Sequence, residues 1–348
     1  MKGPATLRDV AKAAGVHPGT ASRALNPDRR HLVRSGTAER VLEAAQALDF
    51  QPDLAARSLK TRRSYAIGVL IPDLNNPLFP PIVRGIEDAL NPAGYVALLG
   101  NTDNDDARER RIFDSMRSRN VDGFIFATAR HRHPLIDRAR REQLPVVLVN
   151  RVLEGSGIPS ASVDDQVGVG LAVEHLAELG HSRILHLAGP QDLSTGRGRL
   201  RGFRAGMRHA GLAVDPDLVV VAGGFSQKEG ARCLGEVLER GVEFTAVVAG
   251  NDLLALGCYS ALNRFGLDCP RDISVVGFND MPFIDQLRPP LTSVHIPHYH
   301  MGAEAGRLVL AQLAEEPSSP PAVYLPPQLA VRGSTAHAPA GRLVATPA

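Results

Sequence analysis

From Leu7 the apolar side chains fall at Leu7, Val10, Ala11 and Ala14, the spacing of one helical face, with Thr6 in place as its N-cap. Gly15 can take the left-handed conformation that ends a helix, and Pro18 fits the first turn of the next. This predicts helices over 7–14 and 18–25, then a third over 35–48 that buries Val41, Leu42, Ala45 and Leu48. Pro52 breaks the pattern, Leu54 to Lys60 has room for two helical turns, and Ala66 to Ile71 is an apolar run of buried-strand character. Strand-like and helix-like segments then alternate through YVALLG, DGFIFAT and LPVVLVN, the rhythm of parallel strands with crossover helices. A second such series begins near Val163, so two α/β lobes are expected. A last helix over Met301 to Glu316 precedes a terminal strand, YLPPQLAVRG, and the small, Pro-containing tail from Ser334 is expected to be disordered.

Composition changes this picture little. The chain has 348 residues, 44% hydrophobic and 22% charged, an ordinary globular balance for two or three domains. No stretch approaches the ~20 apolar residues of a membrane span, and the first residues lack a signal-peptide core, so a cytoplasmic protein without membrane contact is expected. Three cysteines without CxxC spacing offer neither a disulfide framework nor a zinc knuckle.

Charge adds more. Residues 1–63 carry 12 Lys and Arg against 6 Asp and Glu, while the remainder carries 27 against 31. A basic front ahead of a near-neutral body suits a polyanion, most often nucleic acid. The segment Thr6 to Asn26 supplies the means: a helix, a tight turn and a second helix, with small residues where the helices meet and Thr20, Ser22 and Arg23 facing out. Such a helix can enter the major groove, Arg23 reaching guanine while Thr20 and Ser22 hold phosphates.

The run Asp9-Val10-Ala11 through Leu25-Asn26 resembles the headpiece of the lactose-repressor (LacI/GalR) family of bacterial transcription regulators. The resemblance continues through Pro52 to Lys60, similar to that family's hinge helix, and through IGVLIPDLNNPLF, AGNDLLALG, ISVVGFND and PPLTSVHIP, covering about residues 5–333. It implies an α/β protein: a three-helix helix-turn-helix headpiece (1–50), a hinge helix and linker (51–63), and a two-lobed, periplasmic-binding-protein-like effector domain with doubly wound parallel sheets. Its lobes would comprise 64–163 with 294–323 and 164–293 with 324–335, followed by a disordered tail, 336–348.

By resemblance, paired hinge helices enter the minor groove and Leu59, flanked by Ala56 and Lys60, wedges between base steps. Thr6, His17, Thr20, Ser22, Arg23 and Asn26 are the headpiece candidates for DNA contact. His17 stands where many members have Ser, and Pro18 and Gly19 offer no side-chain hydrogen bond, so direct readout should lean on Arg23, with His17 or Thr20 beside it, and on shape at the hinge step.

Ligands of doubly wound sheets bind at the C-terminal ends of strands. Asp73, Asn75, Arg151, Asn251, Asp252, Asn279 and Asp280 fall there in the expected strand assignment. The resemblance adds Arg199 as an anchoring arginine and Phe79 and Phe225 as flat faces for a ring, with a sugar favoured over a purine. Together these imply a homodimeric, ligand-responsive regulator of an operator, most often a repressor in this family. The alternative of the same fold is a sugar-binding transport receptor, which would need an export signal and has no use for a basic headpiece.

Other chemistry lacks its motifs. There is no complete dinucleotide fingerprint, phosphate loop, GxSxG elbow or HExxH helix, so no cofactor and no enzyme activity is expected. His295, His298 and His300 lack nearby Cys or paired carboxylates, and no metal site is expected there.

Overall fold

The computed structural model describes residues 5–50, 63–315 and 322–339. It divides into two compact units, Met1–Ser64 and Tyr65–Ala348. In the first, α1 (Leu7–Ala13), α2 (Pro18–Leu25) and α3 (Ser35–Ala47) pack on a core of Val10, Ala11, Ala14, Ala21, Ala24, Ala38, Val41 and Ala45. Six of these eight are alanines, which let short helices approach closely. Of the residues expected in this core, Leu42 is half-buried and Leu48 is 38% exposed: Leu48 is the C-cap of α3, past its last helical residue, and Ala38 joins Val41 and Ala45 on the buried face instead. Gly15 turns the chain at φ +65° as its position requires. A 3₁₀ turn at Pro27–Leu32, absent from the sequence expectation, follows α2, and Arg30 Nε donates to the carbonyl of Ala24 at 3.0 Å.

The second unit holds two six-stranded sheets. The first lobe contains β1 (Ala66–Ile71), α4 (Phe79–Leu90), β2 (Val96–Asn101), α5 (Asp106–Ser118), β3 (Gly123–Phe126), α6 (Pro134–Arg141), β4 (Val146–Val149) and β5 (Ser160–Val163). The second contains α7 (Asp165–Glu178), β6 (Ile184–Ala188), α8 (Ser194–His209), β7 (Val219–Val221), α9 (Gln227–Glu239), β8 (Ala246–Ala249), α10 (Asp252–Arg264), β9 (Ser274–Asn279) and β10 (Thr292–His295). The chain returns to the first lobe for α11 (His298–Leu313) and β11 (Val323–Leu325), then ends in the second with β12 (Gln328–Ala330).

Strand order is β11-β5-β4-β3-β1-β2 in one sheet and β12-β10-β9-β8-β6-β7 in the other; among the described residues only β10 and β12 pair antiparallel. In each sheet the order reverses about its first strand, leaving a crevice between β1 and β3 and another between β6 and β8. The strands beside them are buried on both faces, as their continuous apolar runs demand.

Three expectations are corrected. YLPPQLAVRG is two strands in different sheets, because Pro326 and Pro327 have no N–H to extend a ladder. The second and third lobe crossings lie about two residues later than expected, since β10 pairs with β9 through His295 and β11 with β5 through Leu325. The chain from Ser334 to Ala338 is zipped onto the second lobe. Ser334 Oγ accepts from Thr292 N at 2.8 Å and donates to Val275 O at 2.6 Å, Ala336 bonds Ser274 and His181, and Ala338 N donates to Leu179 O. Expected disorder at 340–348 concerns residues outside those described.

Candidate functional site

Thr6 caps α1 reciprocally with Asp9: Thr6 N donates to Asp9 Oδ2 at 2.9 Å, Asp9 N to Thr6 Oγ1 at 3.4 Å, and the hydroxyl also donates to the carboxylate. These bonds hold the Asp9 carboxyl below its usual range. The Thr6 hydroxyl is thus committed within the headpiece. Thr6→Ala is expected to cost about 1 kcal/mol of local stability, read as faster amide hydrogen exchange along α1 in the full chain.

His17 caps α2 through Nδ1, which accepts from Gly19 N at 3.1 Å, so its neutral ring carries the proton on Nε2. Arg23 is exposed on α2, Thr20 and Ser22 are half-buried beside it, and Asn26 is the C-cap. Arg8, Lys12, Arg29, Arg30, Arg34 and Arg40 are exposed on the same unit. The hinge candidates Ala56, Leu59 and Lys60 lie outside the described residues.

In the second unit a cavity of about 350 Å³ opens between the two lobes. Its wall comes from the segments that follow the strands: Asp73 and Asn76 after β1, Asn104 after β2, Arg130 after β3, Asn150 and Arg151 after β4. The other lobe supplies Asp192 after β6, Thr195 and Arg199 at the start of α8, Phe225 after β7, Asn251 after β8, and Asn279 at the end of β9. Phe79, the first residue of α4, lies on the wall as well. The lobes also touch directly: Val152 N donates to Ser194 Oγ at 2.9 Å, His131 N to Asp192 O at 3.0 Å, and Arg201 pairs with Glu154.

Of the ten expected residues, seven line this cavity: Asp73, Phe79, Arg151, Arg199, Phe225, Asn251 and Asn279. The other three do not. Asn75 is exposed, its backbone N–H turned to Asp73 Oδ1 at 2.8 Å, and Asn76 takes the wall position. Asp280 pairs with Arg332 at 2.7 Å and His295 at 3.0 Å. Asp252 is fully buried beneath the strand ends, accepting from Met281 N at 2.8 Å and Ser293 Oγ at 2.5 Å. Its role here is to brace β9 and β10. Asn76, Asn104, Arg130, Asn150, Asp192 and Thr195 line the cavity without having been among the expected residues, although the strand-end position that marks Asp73 is shared by most of them.

Arg199 is 2% exposed, tied through Nε to Asp165 Oδ1 at 2.8 Å and through Nη1 to Gly250 O at 2.5 Å. Its guanidinium lies 3.8 Å from the Phe278 ring centroid. Among the described residues no group of three or more His, Cys, Asp or Glu side chains could hold a metal ion. No described helix is long and apolar enough to cross a membrane.

Comparison with known proteins accounts for both units. Residues 6–53 match the model of bacterial regulatory proteins of the lacI family, and residues 173–335 match that of the periplasmic binding protein-like domain. A ribose operon repressor from Halalkalibacterium halodurans is 34% identical, with 95% of this chain and 97% of that protein covered. The chain belongs to the lacI family. Other lacI-family relatives include the repressor CytR of Escherichia coli K12, 32% identical over 96% of this chain and 97% of its own. Among solved structures, the lac repressor dimer bound to operator and the anti-inducer ONPF superposes with a TM-score of 0.83, at 27% identity and 96% and 99% coverage. The CelR–cellobiose complex gives 0.73 at 30% identity, covering 95% and 99%. The transport-receptor alternative is set aside, because the lacI-family headpiece accounts for the basic front of the chain.

In this lacI-family chain one buried carboxyl makes a pH prediction. Burial raises the Asp252 carboxyl from its ordinary 3.8 to about 7, against the lowering effect of its two donors. Between those values the folded chain retains a proton that the unfolded chain releases, so this group makes stability fall as pH rises through the window. Asp252→Asn is expected to remove that slope. Melting temperatures from pH 5 to pH 8 should decline more steeply for wild type than for the variant; parallel curves refute it.

Proposed function

We propose that this lacI-family chain is a ligand-responsive transcriptional repressor. It binds a pseudo-palindromic operator as a homodimer in the cytoplasm, and a small molecule, a sugar before a purine, occupies the interlobe cavity and sets operator affinity. The observation that carries the reading is a polar cavity walled by strand ends of two lobes, in one chain with a basic helix-turn-helix. The names of ribose repressors among its relatives, and a ribose-bound lacI-family regulator from Enterococcus faecium among its structural neighbours, support a sugar.

Ligand that favours one lobe arrangement shifts the spacing of the hinge segments and so the population competent for DNA. A ~100-fold change in operator affinity needs only ~2.7 kcal/mol of coupling. Unbiased selection of genomic fragments by the full-length protein, with and without a sugar panel, tests the reading. A preferred two-fold site whose recovery responds to a sugar supports it; no preferred site in any ligand state refutes it.

The hinge wedge is part of the same proposal. Leu59→Ala is expected to reduce operator affinity about tenfold and to lessen DNA bending, since the unstacking that permits extra contacts is lost. An unaltered bend angle in a gel-shift assay counts against Leu59 as the wedge.

A further inference from the structure

Arg151 follows β4 on the cavity wall and is only 6% exposed. Its Nη1 donates to Thr128 O at 3.2 Å, and it has no ion pair among the described residues. Arg130 follows the neighbouring strand β3 and lines the same cavity. Its Nη2 donates to Asn104 O at 3.0 Å, while Asp106 and Asp192 stand 3.6 and 3.9 Å from Nη1 and are themselves 81% and 55% exposed. Solvated pairs of that length neutralise little. Arg199, by contrast, already has Asp165. Two adjacent guanidinium groups, one of them buried, therefore face the cavity with less negative charge than they need.

The backbone adds to this field. Helices α4 and α8 both begin at the wall, through Leu78 and Phe79 and through Leu193 and Thr195. Neither has a side-chain cap or an acidic residue in its first turn, so the positive ends of both dipoles are left to the cavity. Burial first, then the nearby Arg130, push the Arg151 guanidinium down to about 10, and the carboxylates of Asp192 and the buried Glu109 offset this only in part.

Resting on the sugar-responsive reading above, we propose that the effector is a sugar bearing an anionic group, a phosphate or carboxylate, held by Arg151 and Arg130. A guanidinium grips either group in two parallel, charge-assisted bonds, and the ligand then supplies the missing counter-charge. The remainder of the cavity suits the hydroxyls. Asn150 Oδ1 is buried without a partner among the described residues, and Asp73 and Asp192 are open to hydroxyl donors. Phe79 and Phe225 flank the space for a ring.

The test is calorimetry on the full-length protein with matched sets: ribose, ribose 5-phosphate and ribonate; glucose, glucose 6-phosphate and gluconate. One anionic member is expected to bind roughly 10- to 100-fold tighter than its neutral parent. Arg151→Gln should erase most of that ratio, and Arg130→Gln, at a more exposed position, should reduce it should the first variant fold poorly. Inorganic phosphate should raise the melting temperature of wild type but not of Arg151→Gln. The phosphate and acid arms decide which anion is recognised. A neutral sugar that binds as tightly as its anionic partners overturns this inference and leaves the sugar-responsive repressor standing. Binding by no member of either set, with operator selection intact, overturns the inference together with the sugar assignment.

Discussion

Replacing Arg199 by Ala is expected to lower unfolding free energy by about 3–5 kcal/mol and to abolish the response to effector. Arg199 ties the first turns of α8 to Asp165 at the start of α7, to the carbonyl of Gly250 after β8, and to Asn279 Oδ1 at 3.4 Å at the end of β9. Its side chain is 3% exposed and that of Asp165 13%, so truncation strands a buried carboxylate without its cation. Burial already raises the Asp165 carboxyl with Arg199 in place. Removing one partner of such a pair costs far more than the pair contributes as a unit. Urea denaturation of the full chain measures the loss, and adding Asp165→Asn to the variant should recover a large part of it. The effector response fails because the same guanidinium lies on the cavity wall and sets the mutual position of three strand-end segments. Stability within about 1 kcal/mol of wild type would refute Arg199 as the tie, given the burial of the pair.

Arg23→Ala is expected to remove about 1–3 kcal/mol of discrimination between the operator and single-base variants, roughly 5- to 150-fold in competition binding. The physical reason is that α2 offers little else of comparable reach, its Thr20 and Ser22 hydroxyls being short and half-buried. Along α2, Pro18 and Gly19 carry no side-chain donor, His17 Nδ1 is occupied by Gly19 N, and Ala21 and Ala24 are buried. Arg23 is the one charged side chain of the helix, and it is exposed. A phosphate-contacting arginine would behave differently, weakening all sequences alike and shallowing the salt dependence by about one. The ratio of operator to random DNA, measured at two salt concentrations, separates the outcomes; an unchanged ratio refutes base reading.

Local signals carried the headpiece well. Caps and breakers act over a few residues, so Thr6, Gly15 and Pro18 mark helix ends that the structure places within about one residue of expectation. Leu48 stays outside the core because periodicity says which face is apolar and not where the helix itself ends, and Leu48 is already the C-cap of α3. The cavity was legible in part for a similar reason. Knowing that ligands gather beyond strand ends selects a zone of several residues per strand, and Asn75 and Asn76, or Asn251 and Asp252, are adjacent there. Which of each pair faces the cavity depends on backbone turns such as the one Asp73 makes with Asn75 N.

The amino-acid order by itself determined most of the helices and the two-lobed strand–helix alternation, the basic front, and the motif set that marks the family, because propensity, capping and periodicity are properties of neighbouring residues. Only the tertiary structure decided that Asp252 is a buried brace, that Arg199 has its counter-ion while Arg151 has no ion pair among the described residues, and that the segment after Ser334 is held in place. Each of those depends on groups tens of residues apart meeting within a few ångströms. Desolvation and Coulomb energy depend on distances in space, which chain folding creates and spacing along the sequence does not contain.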